Sequence, residues 1–124
     1  MSKQYDIERL LDELIAREGG YVDHQDDRGG ATRYGITQAV ARANGYDGAM
    51  RTLPLSLARD IYRRTYWTRP GFERLARIAP HLAAELFDTG VNMGPAVAVG
   101  FLRRALNVFN RQGRDGPVLA CDNQ

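Results

Sequence analysis

Apolar residues at helical spacing begin this chain, and the pattern then stops at one place. Ile7, Leu10, Leu11, Leu14 and Ile15 lie on one face of a helix, which predicts an amphipathic helix from about Asp6 to Glu18. Gly19-Gly20 follow at once and end it. The next stretch, YVDHQDDRGGATRYGIT (21–37), sustains neither period. Short β-compatible pieces, Tyr21-Val22 and Tyr34-Gly35-Ile36, flank a polar, glycine-rich middle, so an irregular hairpin or a long ordered loop is expected. The fold class this dictates is mainly α, with one small non-helical lobe near the N-terminus.

The rest reads as helices. Thr37 is placed to cap a short one through Ala43, closed by Asn44-Gly45. After a connector over 45–55, Ser56 is placed to cap a third, carrying Leu57, Ile61, Tyr62 and Tyr66 inward. Thr68-Arg69-Pro70-Gly71 break it. A short helix over 72–78 precedes one opened by Pro80 and running to about Phe87. Gly94-Pro95 open a last long helix, ended by Gly113, with Val97, Phe101, Leu102, Ala105, Leu106 and Phe109 predicted inside. Its 124 residues suit one domain, placed at 1–112, with 113–124 as a tail or the start of a further region.

Several classes are disfavoured. The apolar runs are too short to cross a bilayer, so no membrane insertion is expected. MSKQYDIERLLDEL lacks the apolar core of a signal peptide, which makes synthesis in the cytoplasm the expectation. The single cysteine, Cys121, allows no internal disulfide. His24 and His81 have no paired metal-ligand spacing, and no metal or other cofactor is expected. The net charge of +2 comes from 16 Arg and one Lys. It fits mild attraction to an anionic polymer, either nucleic acid or cell wall.

Glu18 follows Leu14 by four residues and Leu11 by seven, so it continues the apolar stripe of the first helix. It also occupies the last turn, at the negative end of the helix dipole. Both features disfavour an ionised carboxylate, which is the condition a general acid needs near neutral pH. The plain alternative is a terminal glutamate pointing to solvent. Gly19-Gly20 leave open space beside it, and a short hairpin could return Asp27 to face it. Two carboxyls in unlike surroundings, one protonated and one ionised, are the minimum for breaking a glycosidic bond. The Thr32 hydroxyl could hold a water or orient Asp27. Read as a calcium loop, the stretch has Arg28 where the turn glycine belongs and Tyr34 where the bidentate Glu belongs. Read as a phosphate cradle, it lacks the Gly-Lys-Ser/Thr ending.

Tyr34, Tyr66 and Trp67 could stack on sugar faces, or else pack in a core. Asp88 and Asn92 most simply satisfy free N–H groups before the last helix, with substrate contact as the alternative for Asn92. The arginines of RDIYRR (59–64) read as a solvated face or as a contact for anionic wall polymers.

The spacing Glu18, Asp27, Thr32 resembles the Glu–Asp–Thr arrangement of phage-type lysozymes. More specifically, EGGYV (18–22), DRGGAT (27–32) and GIT (35–37) resemble the signature of glycoside hydrolase family 108. IYRRTYW (61–67) and FDTGVNMGPAVAVGFLRRALNV (87–108) extend the likeness over nearly the whole chain. The resemblance implies a lysozyme-like helical fold and N-acetylmuramidase activity on peptidoglycan. It puts Glu18 in the catalytic acid position, with Asp27 and Thr32 as its partners and Tyr21, Tyr34, Tyr66, Trp67 and Asn92 as candidate substrate contacts. It also implies prophage endolysin-like proteins that act in the periplasm or cell wall, reached through a holin or an export apparatus, as monomers. RDGPVLACDNQ (114–124) resembles the start of that family's C-terminal peptidoglycan-binding region. Arg17 stands where the family often has His, and Asp26 competes with Asp27 for the cleft. The alternatives are an arginine-rich helical module binding nucleic acid through Arg59, Arg63 and Arg64, and a wall-binding protein without catalysis.

Overall fold

The computed structural model describes residues 6–24 and 30–113. Asp26, Asp27 and Cys121 lie outside the described residues, as does the side chain of His24. The chain divides into two compact units, Met1–Thr65 and Tyr66–Gln124. The protein is mainly helical, with a small antiparallel sheet near the N-terminus, as its sequence predicts.

In the first unit, helix α1 spans Ile7–Glu18. Asp6 caps it, its carboxylate accepting the Glu8 N–H at 3.2 Å. Leu11 and Leu14 are wholly buried. The helix stops where Gly19 turns to φ +78°, a conformation that costs other residues a Cβ clash. The region read as a hairpin or loop is a three-stranded sheet: β1 Tyr21–His24, β2 Gly30–Arg33 and β3 Ile36–Thr37, in that order. Tyr21 opposes Arg33, which opposes Ile36; Val22 opposes Thr32, which opposes Thr37. Opposed residues point to the same side, so Tyr21, Arg33 and buried Ile36 share one face and Val22, Thr32 and Thr37 the other.

Thr37 caps α2 (Gln38–Ala43) as expected, accepting the Val40 N–H at 3.2 Å. Asn44 and Gly45 close it. Gly45, at φ +92°, donates to the Arg42 carbonyl and Tyr46 to that of Ala41, the paired bonds of a Schellman stop. A short 3₁₀ turn, Met50–Thr52, leads to α3 (Leu55–Arg63). Ser56 is not its cap: Pro54 holds that position, without a side-chain bond. Ala58, Ile61 and Tyr62 are its buried residues. Arg59 pairs with Glu8 and Asp12, and Arg63 with Glu8 and Asp60, so these arginines tie α3 to α1 rather than forming the solvated face predicted for them.

A π-turn, Arg64–Thr68, follows α3. In the second unit Gly71 adopts φ +88° and starts α4, Phe72–Leu75, shorter than the 72–78 expected. Helix α5 runs from Pro80 to Met93, six residues beyond its predicted end at Phe87, and Gly90 lies inside it. Phe72, Ala83, Leu86 and Phe87 are buried. Gly94, at φ +103°, separates α5 from α6, Pro95–Gly113. The inner side of α6 differs from the expected stripe. Ala98 is fully buried, whereas Phe101 is 41% and Leu106 37% exposed, and Ala105 is exposed too. On the inner side of α6 small residues meet: the Ala98 methyl lies 3.7 Å from where a Gly90 side chain would begin. No described helix is long and apolar enough to cross a membrane.

Candidate active site

Helix α1 delivers Glu18 at its final position, and the chain then turns away through Gly19. Among the described residues, nothing lies within 4 Å of where side chains on Gly19 or Gly20 would begin. Glu18 itself is exposed. The partial burial predicted by extending the apolar stripe is therefore not found. The buried stripe ends at Leu14, because the Gly19 turn carries the chain off before anything covers the next turn of the helix.

The carboxylate still has a fixed neighbour. β2 and β3 are joined by the two-residue turn Tyr34-Gly35, with φ +54° and +77°. Positive φ at both central residues is the type I′ pattern, whose twist matches a hairpin. Asn-Gly is the usual pair there, and tyrosine at the first position bears strain of about 1 kcal/mol. Gly35 is required on a second ground. A Cβ on it would fall 2.7 Å from Glu18 Oε1, 3.1 Å from Glu18 Cβ and 2.6 Å from Tyr62 Oη. Carboxylate and phenol both crowd the bare face of Gly35. The Tyr62 hydroxyl donates to the Tyr34 carbonyl at 2.8 Å, and the Tyr62 ring is buried.

Arg33 frames the same turn. Its guanidinium lies 4.7 Å from the Tyr34 ring centre and donates to the Tyr34 hydroxyl at 3.2 Å. Tyr21 carries Arg51 over its ring at 4.8 Å. By strand register, Tyr21 sits on the opposite face of the sheet from Thr32, so the two do not line one surface together. Thr32 is half-buried on β2, between Val22 and Thr37.

Three of the candidate contacts belong to the second unit. Trp67 is 4% exposed and meets Phe87 edge-on at 6.1 Å. It packs as a core residue, one of the two readings that the sequence leaves open for it. The half-buried Tyr66 packs its ring 3.5 Å from where a Gly90 side chain would begin. Asn92 lies within α5, not before α6, and its amide donates to the Asp88 carbonyl at 3.0 Å.

Sequence reasoning missed Tyr62 and Gly35. Tyr62 reads from the sequence as a core residue and is buried, but its hydroxyl points at the Glu18 turn. The signal available was Gly35 itself, a glycine straight after tyrosine in a tight turn.

Comparison with known proteins identifies the family. The family model described as Glycosyl hydrolase 108 matches residues 11–94. Among solved structures, the chain is similar to SagA of Brucella abortus, with 31% sequence identity and a TM-score of 0.64. That match covers 81% of this chain and 58% of the solved one, so this chain spans little more than half of that protein's length. A comparison with curated proteins finds no match.

Proposed function

We propose, from the premise that the chain belongs to glycosyl hydrolase family 108, that it is an N-acetylmuramidase cleaving the β-1,4 bond between N-acetylmuramic acid and N-acetylglucosamine in peptidoglycan. The observation that carries this reading is the seat of Glu18: an acid at a helix end, open to solvent on one side and resting on the Tyr34–Gly35 turn on the other. In this reading Glu18 gives its proton to the glycosidic oxygen as the bond to the anomeric carbon breaks, and the leaving sugar departs as an alcohol. Water completes the reaction at the anomeric carbon. Asp27 takes its proton or steadies the cationic sugar, Thr32 positions it, and Tyr34 offers a ring to the saccharide. The protein is made in the cytoplasm and acts on the wall or in the periplasm, gaining access through a holin or an export apparatus.

Against the nucleic-acid reading, two of its three arginines, Arg59 and Arg63, pair with Glu8, Asp12 and Asp60. The deciding experiment is digestion of purified peptidoglycan in isotopically labelled water, read by mass spectrometry. Fragments ending in reducing N-acetylmuramic acid that carries one labelled oxygen are expected. Folded protein that leaves the glycan chains intact, or releases reducing N-acetylglucosamine, would refute the reading.

A further inference from the structure

We propose that Tyr62 is a positioning residue for Glu18, acting through the turn on which the carboxylate rests; this builds on the muramidase reading above. The first support is steric. The carboxylate oxygen and the phenol oxygen lie 2.7 and 2.6 Å from one point, the absent Cβ of Gly35. Both side chains are thus packed against a single α-carbon. The second is the hydrogen bond. Buried Tyr62 donates at 2.8 Å to the carbonyl of Tyr34, the one described non-glycine residue with positive φ. A turn in that conformation is costly for tyrosine, and a hydrogen bond from a fixed side chain offsets part of the cost.

The third support is the frame. Glu18 ends α1 and Tyr62 lies in α3, and these helices are joined by Glu8 and Asp12 on one and Arg59 and Arg63 on the other. The donor and the carboxylate are therefore carried by a tied pair of helices, with the turn held at their meeting point. Apart from that turn, Glu18 is exposed. Removing the Tyr62 hydroxyl leaves the buried ring to fill its pocket and removes the bond to the turn. Small displacements of an acid from its reacting geometry are expensive in rate.

The test compares Tyr62→Phe with Tyr46→Phe. Tyr46 is a chemical match in the same unit, since its hydroxyl also donates to a backbone carbonyl, that of Ala49, at 2.7 Å. Two readouts are taken: kcat and KM on soluble peptidoglycan fragments, and the NMR signal of the Glu18 carboxyl carbon, assigned with Glu18→Gln. Tyr62→Phe is expected to lower kcat about tenfold or more with KM nearly unchanged, and to move the Glu18 signal. Tyr46→Phe is expected to do neither. An unmoved Glu18 signal, an unchanged kcat, or an equal loss in Tyr46→Phe overturns the proposal. Should the unmodified protein fail to cut glycan at all, the muramidase reading falls, and the carboxyl signal alone still decides whether Tyr62 holds the seat.

Discussion

Gly35 and Gly90 each lie against other side chains, yet a methyl group would meet opposite fates at the two. At Gly35 it would fall well inside contact distance of two oxygens, on a backbone already at φ +77°. At Gly90 its nearest neighbours would be 3.5 and 3.7 Å away, ordinary van der Waals contact, on a helical backbone. The difference separates two kinds of construction. The first unit sets a strained turn against polar atoms to fix one carboxylate. The second unit stacks helices through small residues and aromatic side chains, where extra volume is tolerated in small doses.

Substitutions can break or sharpen that contrast. The largest effect is expected from Glu18→Gln, which should lower the rate of peptidoglycan cleavage by about 10²–10⁴-fold. Its urea midpoint should be equal or higher, since the site is built for chemistry rather than stability. Residual activity near that of the unmodified protein would move the acid role elsewhere. Next comes Phe87→Ala in the second unit, where a side chain 2% exposed and in edge contact with Trp67 is lost. It should cost about 3–5 kcal/mol in chemical denaturation. Gly35→Ala should destabilise by about 1–3 kcal/mol and also reduce kcat. Gly90→Ala should do the reverse, raising stability by about 0.5–1 kcal/mol with activity retained. If Gly90→Ala proved as harmful as Gly35→Ala, the contrast would vanish.

The smallest effect concerns acid. Hydrogen bonds from Arg59, reinforced by Arg63, hold the Glu8 carboxyl below its ordinary 4.5, outweighing a smaller opposing effect of burial. The stabilisation is therefore present above pH 4.5 and disappears as pH falls through the lowered value. Glu8→Gln should lose up to about 1 kcal/mol near neutrality, because the pairs are largely solvent-exposed. The gap to the unmodified protein should close in strong acid, as read from urea midpoints at the two pH values.

Punctuation was the most legible part of the sequence. Asp6, Gly19, Thr37, Asn44-Gly45, Gly71 and Gly94-Pro95 all mark boundaries that the structure keeps, because caps and left-handed turns are decided by a few neighbouring residues. Facing was less legible. The stripe of α6, the exposure of Glu18 and the burial of Trp67 depend on what covers each surface, and that is not local information. Gly90 is a separate case: it sits inside α5 despite poor helix propensity, and its ordinary contacts with Tyr66 and Ala98 do not require glycine. At the candidate site, the place of Glu18 at a helix end is legible from sequence, but its neighbour Tyr62 lies far along the chain and reads only as core.

Tyr34 holds a left-handed slot that glycine or asparagine would fill with less strain. Laboratory evolution that rewarded heat tolerance alone should drift towards those residues at position 34. Selection on bacterial lysis should retain the aromatic ring. The two regimes would part at this codon first, and the residue each one fixes would reveal whether the ring is there for the saccharide or by accident.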